Sequence, residues 1–204
     1  MTTALISIKE KIKSLNGNQS YLNKNNDNHK KAFVFLLIDN SGSMSGNGIK
    51  QAISGSKSFF KNAIEKSYLV GLIQFNTEAE VLLAPTNDTN HFFETIEKVE
   101  SEGGTNMTDA LKIATRHLLN KISLFKKYIC LVTDGMPNNE ESAIAAADKA
   151  KNSGIEIIAI GTEDADEEFL KKIRTVNGIQ AIYKINELSS AISNIAGFLP
   201  DNSR

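Results

Sequence analysis

Cys130 is the single cysteine among 204 residues. No disulfide can form within the chain, and such chemistry fits a reducing compartment. Nowhere does an apolar run approach the roughly 20 residues that a membrane-spanning helix needs. The opening MTTALISIKEKIKSL mixes charges into its apolar positions and has no small-residue cleavage site after an apolar core. It does not read as a secretory signal, so a cytoplasmic location is expected. Strong charge of either sign is missing too: a formal net charge of -1 gives no global attraction for nucleic acid or an anionic membrane. Catalytic signatures are equally scarce. No phosphate-binding Gly-x-x-x-x-Gly-Lys-Ser/Thr follows a strand, since the glycines at 42, 46 and 48 lack the lysine and hydroxyl placement. There is no Gly-x-Ser-x-Gly elbow, and nothing pairs Cys130 with a recognisable base. His29, His91 and His117 share no zinc-ligand spacing. The Asn-x-Ser/Thr triplets at Asn18, Asn87 and Asn106 read as chance matches in a chain of this kind.

What is present is a chain that is 41% hydrophobic and 23% charged, long enough for one full-sized α/β domain. Ala4, Leu5, Ile8, Ile12 and Leu15 follow helical spacing, and the Asn- and charge-rich stretch from Asn16 to Lys31 reads as a linker. The expected organisation is a helix and linker over 1–31, one domain over 32–199 and a tail over 200–204. Within the domain, strands are predicted over Phe33 to Ile38, Tyr68 to Phe75, Ala79 to Ala84, Lys127 to Thr133, Ile155 to Ile160 and Ala181 to Ile185. Helices are predicted over Ile49 to Lys66, Asn90 to Val99, from about Asp109 to Asn120, from Glu140 to Asn152, after the acidic run Glu163 to Glu168, and over Glu187 to Phe198. Strand and helix alternate, which predicts a doubly wound, mostly parallel sheet with helices on both faces. The three-residue break Asn76-Thr77-Glu78 makes the strand from Ala79 an antiparallel partner, and Glu80 and Pro85 suit it to an edge.

The chemistry concentrates where the first apolar run ends, at Asp39-Asn40-Ser41-Gly42-Ser43-Met44. Open α/β sheets bind ligands on loops at the carboxyl ends of their strands. One carboxylate and two hydroxyls there are hard oxygen donors, suited to Mg²⁺ or Mn²⁺. Two more oxygen side chains, Thr105 after Gly103-Gly104 and Asp134 after Leu-Val-Thr, fall on what read as strand-to-helix loops expected to share that rim. Taken one at a time, Asp39, Ser41 and Asp134 read better as helix caps.

Together, Asp39-Asn-Ser41-Gly-Ser43-Met, Gly103-Gly104-Thr105-Asn106 and Leu-Val-Thr-Asp134-Gly resemble the von Willebrand factor A domain with its metal-ion-dependent adhesion site, over about Lys31 to Phe198. The resemblance implies a Rossmann-like fold and Mg²⁺, or Mn²⁺ or Ca²⁺, coordinated by the hydroxyls of Ser41, Ser43 and Thr105. Asp39 and Asp134 would hold the ion directly or through water. It also implies a non-catalytic binding module in which an acidic residue of a partner protein completes the ion, and a closing helix that shifts on binding. Among its members, the chain looks closest to bacterial cytoplasmic ones of the tellurium-resistance-associated type. The enzymatic alternative is a metal-assisted phosphohydrolase using Asp39 as nucleophile, weakened because position 41 is Ser41 rather than a second carboxylate.

Smaller features have plainer readings. The acids from Glu163 to Glu168 suit the first turn of the next helix, although they would also repel acidic ligands or bind a second cation. Cys130 reads as an inert core thiol. Met44 and Met136 either rim the ion or pack in the core.

Overall fold

All eight residues of β1, Ala32–Asp39, are buried. In the computed structural model, which describes residues 32–121, 126–175 and 181–202, β1 pairs in parallel with β2 (Tyr68–Phe75) and with β4 (Lys127–Thr133). A strand with neighbours on both edges and cover on both faces needs apolar residues at successive positions rather than at alternate ones. That is why Phe33 to Ile38 carries no polar side chain. β5 (Glu156–Thr162) and β6 (Ile182–Tyr183) continue the parallel sheet beyond β4, while β3 (Ala79–Thr86) runs antiparallel at the opposite edge. The order β3-β2-β1-β4-β5-β6 is the mostly parallel, doubly wound architecture expected. The expected helix and linker over 1–31 and the last two residues of the expected tail lie outside the described residues.

The pleat of β1 divides the core in two. Val34, Leu36 and Ile38 pack under α1 (Asn47–Glu65), α2 (Thr89–Ile96) and α6 (Leu188–Phe198), with Phe59, Phe60 and Ile192 fully buried. Phe33, Phe35 and Leu37 face α3 (Met107–Leu119), α4 (Glu140–Asn152) and α5 (Glu167–Ile173), against Leu111, Ala147 and Leu170. Burying each large side chain contributes about 1.5–3 kcal/mol, so β1 is anchored from both faces. The polar loop at its end is thereby held in place.

Three local expectations need correction. The last strand was expected over Ala181 to Ile185, but only Ile182 and Tyr183 pair with β5; the Ile185 N–H turns to Glu163 Oε2 at 3.2 Å and a 3₁₀ turn, Ile185–Glu187, follows. β3 runs on through Pro85 to Thr86, and its pairing with β2 shifts register between Val70 and Leu72. A proline without an N–H fits that irregular edge. The Gly103-Gly104 loop does not join a strand to a helix: it joins α2 to α3. It reaches the carboxyl rim because β3 carries the chain to the far side of the sheet and α2 brings it back.

Candidate metal centre

The rim is built by backbone hydrogen bonds that tie the α2–α3 loop to three neighbours. The Gly42 N–H donates to the Gly103 carbonyl at 3.0 Å and the Glu102 N–H to the Asn40 carbonyl at 2.8 Å, locking that loop onto the one after β1. The Asn106 N–H donates to the Asn76 carbonyl, and the Gly104 N–H to Thr77 Oγ1 at 3.0 Å. On the remaining side Thr105 is held twice by Asn138: its N–H donates to Asn138 Oδ1 at 3.1 Å, and its carbonyl accepts from the Asn138 N–H at 3.0 Å. Gly103 is required at its place. Its φ is +70°, and a methyl on it would stand 2.5 Å from Thr77 Oγ1.

Onto this frame the sequence places its oxygens. Asp39 is fully buried, with Oδ1 accepting from the Ser41 N–H at 2.9 Å and Oδ2 from Thr133 Oγ1 at 2.5 Å. Ser41 Oγ lies 3.1 Å from Ser43 Oγ, and Ser43 Oγ donates to Asp134 Oδ1 at 2.8 Å. Ser41, Ser43 and Asp134 therefore form one chain of oxygens across two loops. Thr105 is half-buried on the adjoining loop, and its hydroxyl has no hydrogen-bond partner among the described residues. The helix-cap alternative does not hold here. α1 begins after Gly46 with no side-chain cap, and α4 takes its cap from Asn139, which accepts from the Ser142 N–H at 2.8 Å.

Burial pushes the Asp39 carboxyl up to about 6, against the lowering hydrogen bonds from Ser41 and Thr133. Burial also raises Asp134, opposed by its bond from Ser43. Neither carboxylate has an ion-pair partner among the described residues, so a bound cation would offset the cost of their desolvated charged forms. Hydroxyls supply further hard donors without further charge. The donor set thus fits a small hard dication.

Thr133, Asn138 and Thr77 are the structural partners that the sequence did not single out. Thr133 had a signal, since it sits inside the Leu-Val-Thr-Asp134-Gly motif. Asn138 and Thr77 act through pairings 33 and 27 residues away, which no local pattern marks. Met44 is fully buried in the core beneath α1, whereas Met136 is 40% exposed. The acidic run has structural work: Asp166 caps α5 by accepting from the Phe169 N–H at 2.9 Å, and Glu167 and Glu168 pair with Lys171.

A doubly wound, mostly parallel sheet with side-chain oxygens gathered at its carboxyl rim marks one class of α/β domain. The model of the von Willebrand factor type A domain matches residues 34–197, and the chain belongs to that family. Members are commonly metal-dependent adhesion or protein-interaction modules. Calcium-activated chloride channel regulator 1 of Bos taurus is 31% identical over 178 residues, covering 82% of this chain and 19% of that protein. Inter-alpha-trypsin inhibitor heavy chain H2 of Homo sapiens is 28% identical, covering 78% of this chain and 19% of that protein. The chain therefore spans only about a fifth of these relatives. Among solved structures, a von Willebrand factor type A protein from Catenulispora acidiphila superposes with TM-score 0.71 at 18% identity, covering 82% of this chain and 42% of that one. Manganese-loaded Plasmodium vivax TRAP protein superposes with TM-score 0.66 at 20% identity, covering 80% and 72%.

Proposed function

We propose that this domain is a non-catalytic, divalent-cation-dependent protein-binding module. Mg²⁺, with Mn²⁺ or Ca²⁺ as substitutes, is held by Asp39, Ser41, Ser43, Thr105 and Asp134, and an Asp or Glu of a partner protein supplies the remaining ligand. The observation that carries this reading is the run of contacts from Ser41 Oγ through Ser43 Oγ to Asp134 Oδ1, at 3.1 and 2.8 Å. It brings side chains far apart in sequence to one small polar locus on the ligand-binding rim. A structural neighbour is loaded with manganese, which supports Mn²⁺ among the ions the site would accept. A cation held by few charges stays electrophilic and takes a further carboxylate.

The phosphohydrolase alternative requires Asp39 to reach phosphorus. Its full burial, with each carboxylate oxygen occupied by a donor, favours a holding role over nucleophilic attack. A cytoplasmic location and kinship with the bacterial tellurium-resistance-associated members belong to the same proposal, supported by the lone, buried Cys130 and by the motifs around Ser41 and Thr105. Calorimetric titration of Mg²⁺ and copurification with and without EDTA test the reading. Ser41→Ala is expected to abolish both ion binding and partner capture while the circular dichroism spectrum is retained. Capture indifferent to EDTA and to Ser41→Ala would falsify it, and turnover of a phosphate ester dependent on Asp39 would favour the enzyme.

A further inference from the structure

Three clefts that share residues lead from the metal rim along α3. The first, of about 330 Å³, lies at the α2–α3 loop and is bordered by Glu78 and Glu102. It shares Glu78 with a second of about 450 Å³, bordered on α3 by Asn106, Asp109, Lys112 and Arg116. The second shares Lys112 and Arg116 with a third of about 410 Å³, which reaches Leu119 and crosses to Ala146 and Lys149 on α4. Asn106, Asp109, Lys112 and Arg116 stand three or four residues apart, so a single stripe of the helix lines the track. Across from it, α4 packs through Ala143, Ala146, Ala147 and Ala150, and alanine at 146 adds only a methyl to the floor of the furrow.

The two ends of this track differ in charge. At the rim, Glu78 and Glu102 are exposed, and no described residue pairs with either carboxylate. At the far end, the Arg116 guanidinium and the Lys149 ammonium group are exposed and have no hydrogen-bond or ion-pair partner among the described residues. Other cations nearby are matched: Lys151 pairs with Asp148, Lys171 with Glu167 and Glu168, and Lys172 with Glu140. Leu119, in the same cleft as Arg116 and Lys149, is 44% exposed. The far end therefore offers an anion site beside an apolar one.

We infer that the acidic partner of the metal centre is an extended peptide segment that continues along this track, its second carboxylate held by Arg116 and Lys149 and an apolar side chain resting on Leu119. This rests on the metal centre proposed above. The spacing follows from the helix. Arg116 lies about 15 Å along α3 from Asn106, the neighbour of Thr105, at about 1.5 Å per residue. An extended peptide covers that distance in about five residues. Charge sets the order: the unpaired Glu78 and Glu102 disfavour a second acid next to the one at the ion, while the far end favours it. The planar fork of Arg116 suits a carboxylate in particular.

The test uses the full chain and fluorescent synthetic peptides of Gly and Ser, made in both chain directions. One carries an Asp and, about five residues on, an Asp-Leu pair; a second has Asn for the second Asp; a third has the pair moved next to the first Asp. In Mg²⁺ the first peptide is expected to bind about fivefold more tightly than the others in one direction, and EDTA abolishes its binding. Arg116→Gln combined with Lys149→Gln lowers it to the level of the Asn peptide, leaves the Asn peptide unchanged and retains the circular dichroism spectrum. That coupling is one a general loss of structure would not produce. Equal affinity of wild type and the double variant for the first peptide, or no binding of any peptide, overturns the track and leaves the metal centre standing if Mg²⁺ binding still depends on Asp39. Displacement of the peptide by equimolar inorganic phosphate overturns it by reducing the far end to a simple anion site. Wild-type dimers that dissociate on Arg116→Gln substitution overturn it by giving the track to a second copy. Absence of Asp39-dependent Mg²⁺ binding brings down the proposed function itself.

Discussion

Ser43 Oγ donates a 2.8 Å hydrogen bond to Asp134 Oδ1, although 91 residues separate the two. Without the ion, this bond joins the loops after β1 and β4, the two central strands that carry most of the oxygens. Ser43→Ala removes a donor from a carboxylate that is already desolvated, which costs about 1 kcal/mol of stability in EDTA. On the proposed ligand set it would also remove a coordinating oxygen. The expected result is a loss of at least about tenfold in Mg²⁺ affinity, or about 1.4 kcal/mol, read by calorimetry. An affinity unchanged from wild type would remove Ser43 from the ligand set.

The pH dependence of the metal-free protein follows from Asp39. Its folded-state value of about 6 lies above the unassociated value of 3.8, so the native state holds a proton that the unfolded chain has released between these limits. A carboxyl raised in this way lowers stability as pH climbs from 3.8 to about 6, by about 3 kcal/mol at the full shift. At the proposed centre Mg²⁺ would bind the ionised form and reverse the effect. The melting temperature in EDTA is expected to fall across this window relative to an Asp39→Asn chain, and the gain from Mg²⁺ to grow from pH 4.5 to 7. A gain that is constant over that range would exclude Asp39 as a group linked to the ion.

Two glycines near the rim make a matched pair. A methyl at residue 103 would be 2.5 Å from Thr77 Oγ1 on a backbone with φ of +70°, whereas a methyl at Gly135 meets nothing within 4 Å. Gly103→Ala is expected to cost about 1–3 kcal/mol and to weaken Mg²⁺ binding by displacing the loop that bears Thr105. Gly135→Ala, one residue from Asp134, should leave both within about 0.5 kcal/mol of wild type. Thermal melts and ion titrations of the two variants check this. Equal behaviour would mean that the α2–α3 loop does not position the site.

The sequence made β1 legible because a strand enclosed on every side must be apolar throughout, and Phe33 to Ile38 is. The polar break after it was legible for the same reason, since Asp39 ends an otherwise uninterrupted run. Thr133 and Asn138 were not singled out, because their roles come from bonds to Asp39 and Thr105 across 94 and 33 residues. Single-sequence periodicity does not report such pairings. In sequence the α2–α3 loop reads as a strand-to-helix loop because its glycines and polar residues look like one. Only the antiparallel turn of β3, which reverses the chain before α2, explains how a helix-to-helix loop arrives at the strand ends. The shortness of β6 was hidden similarly, since Ile185 is apolar enough for a strand yet spends its N–H on Glu163.

Lys66 clasps the end of the closing helix. Its ammonium group donates to the carbonyls of Ala196 at 2.7 Å and Leu199 at 2.8 Å, with the Gly197 carbonyl at 3.3 Å. Carbonyls at the C-terminus of an α-helix lack the usual i+4 donor, and the helix dipole also favours a cation there; the Ala196 carbonyl additionally accepts from the Leu199 N–H at 3.3 Å. Lys66 is half-buried at the end of α1, so the clasp fixes α6 to α1 at one point beyond their packed faces. Lys66→Met keeps the aliphatic stem but loses the charge, costing about 1 kcal/mol after solvent screening is allowed for. Amide exchange in Leu188–Phe198 should quicken several-fold, while that of β1 stays at the global rate. Exchange in α6 that is unaltered by Lys66→Met, with and without Mg²⁺, would show that packing against Phe59 and Phe60 holds the helix without it.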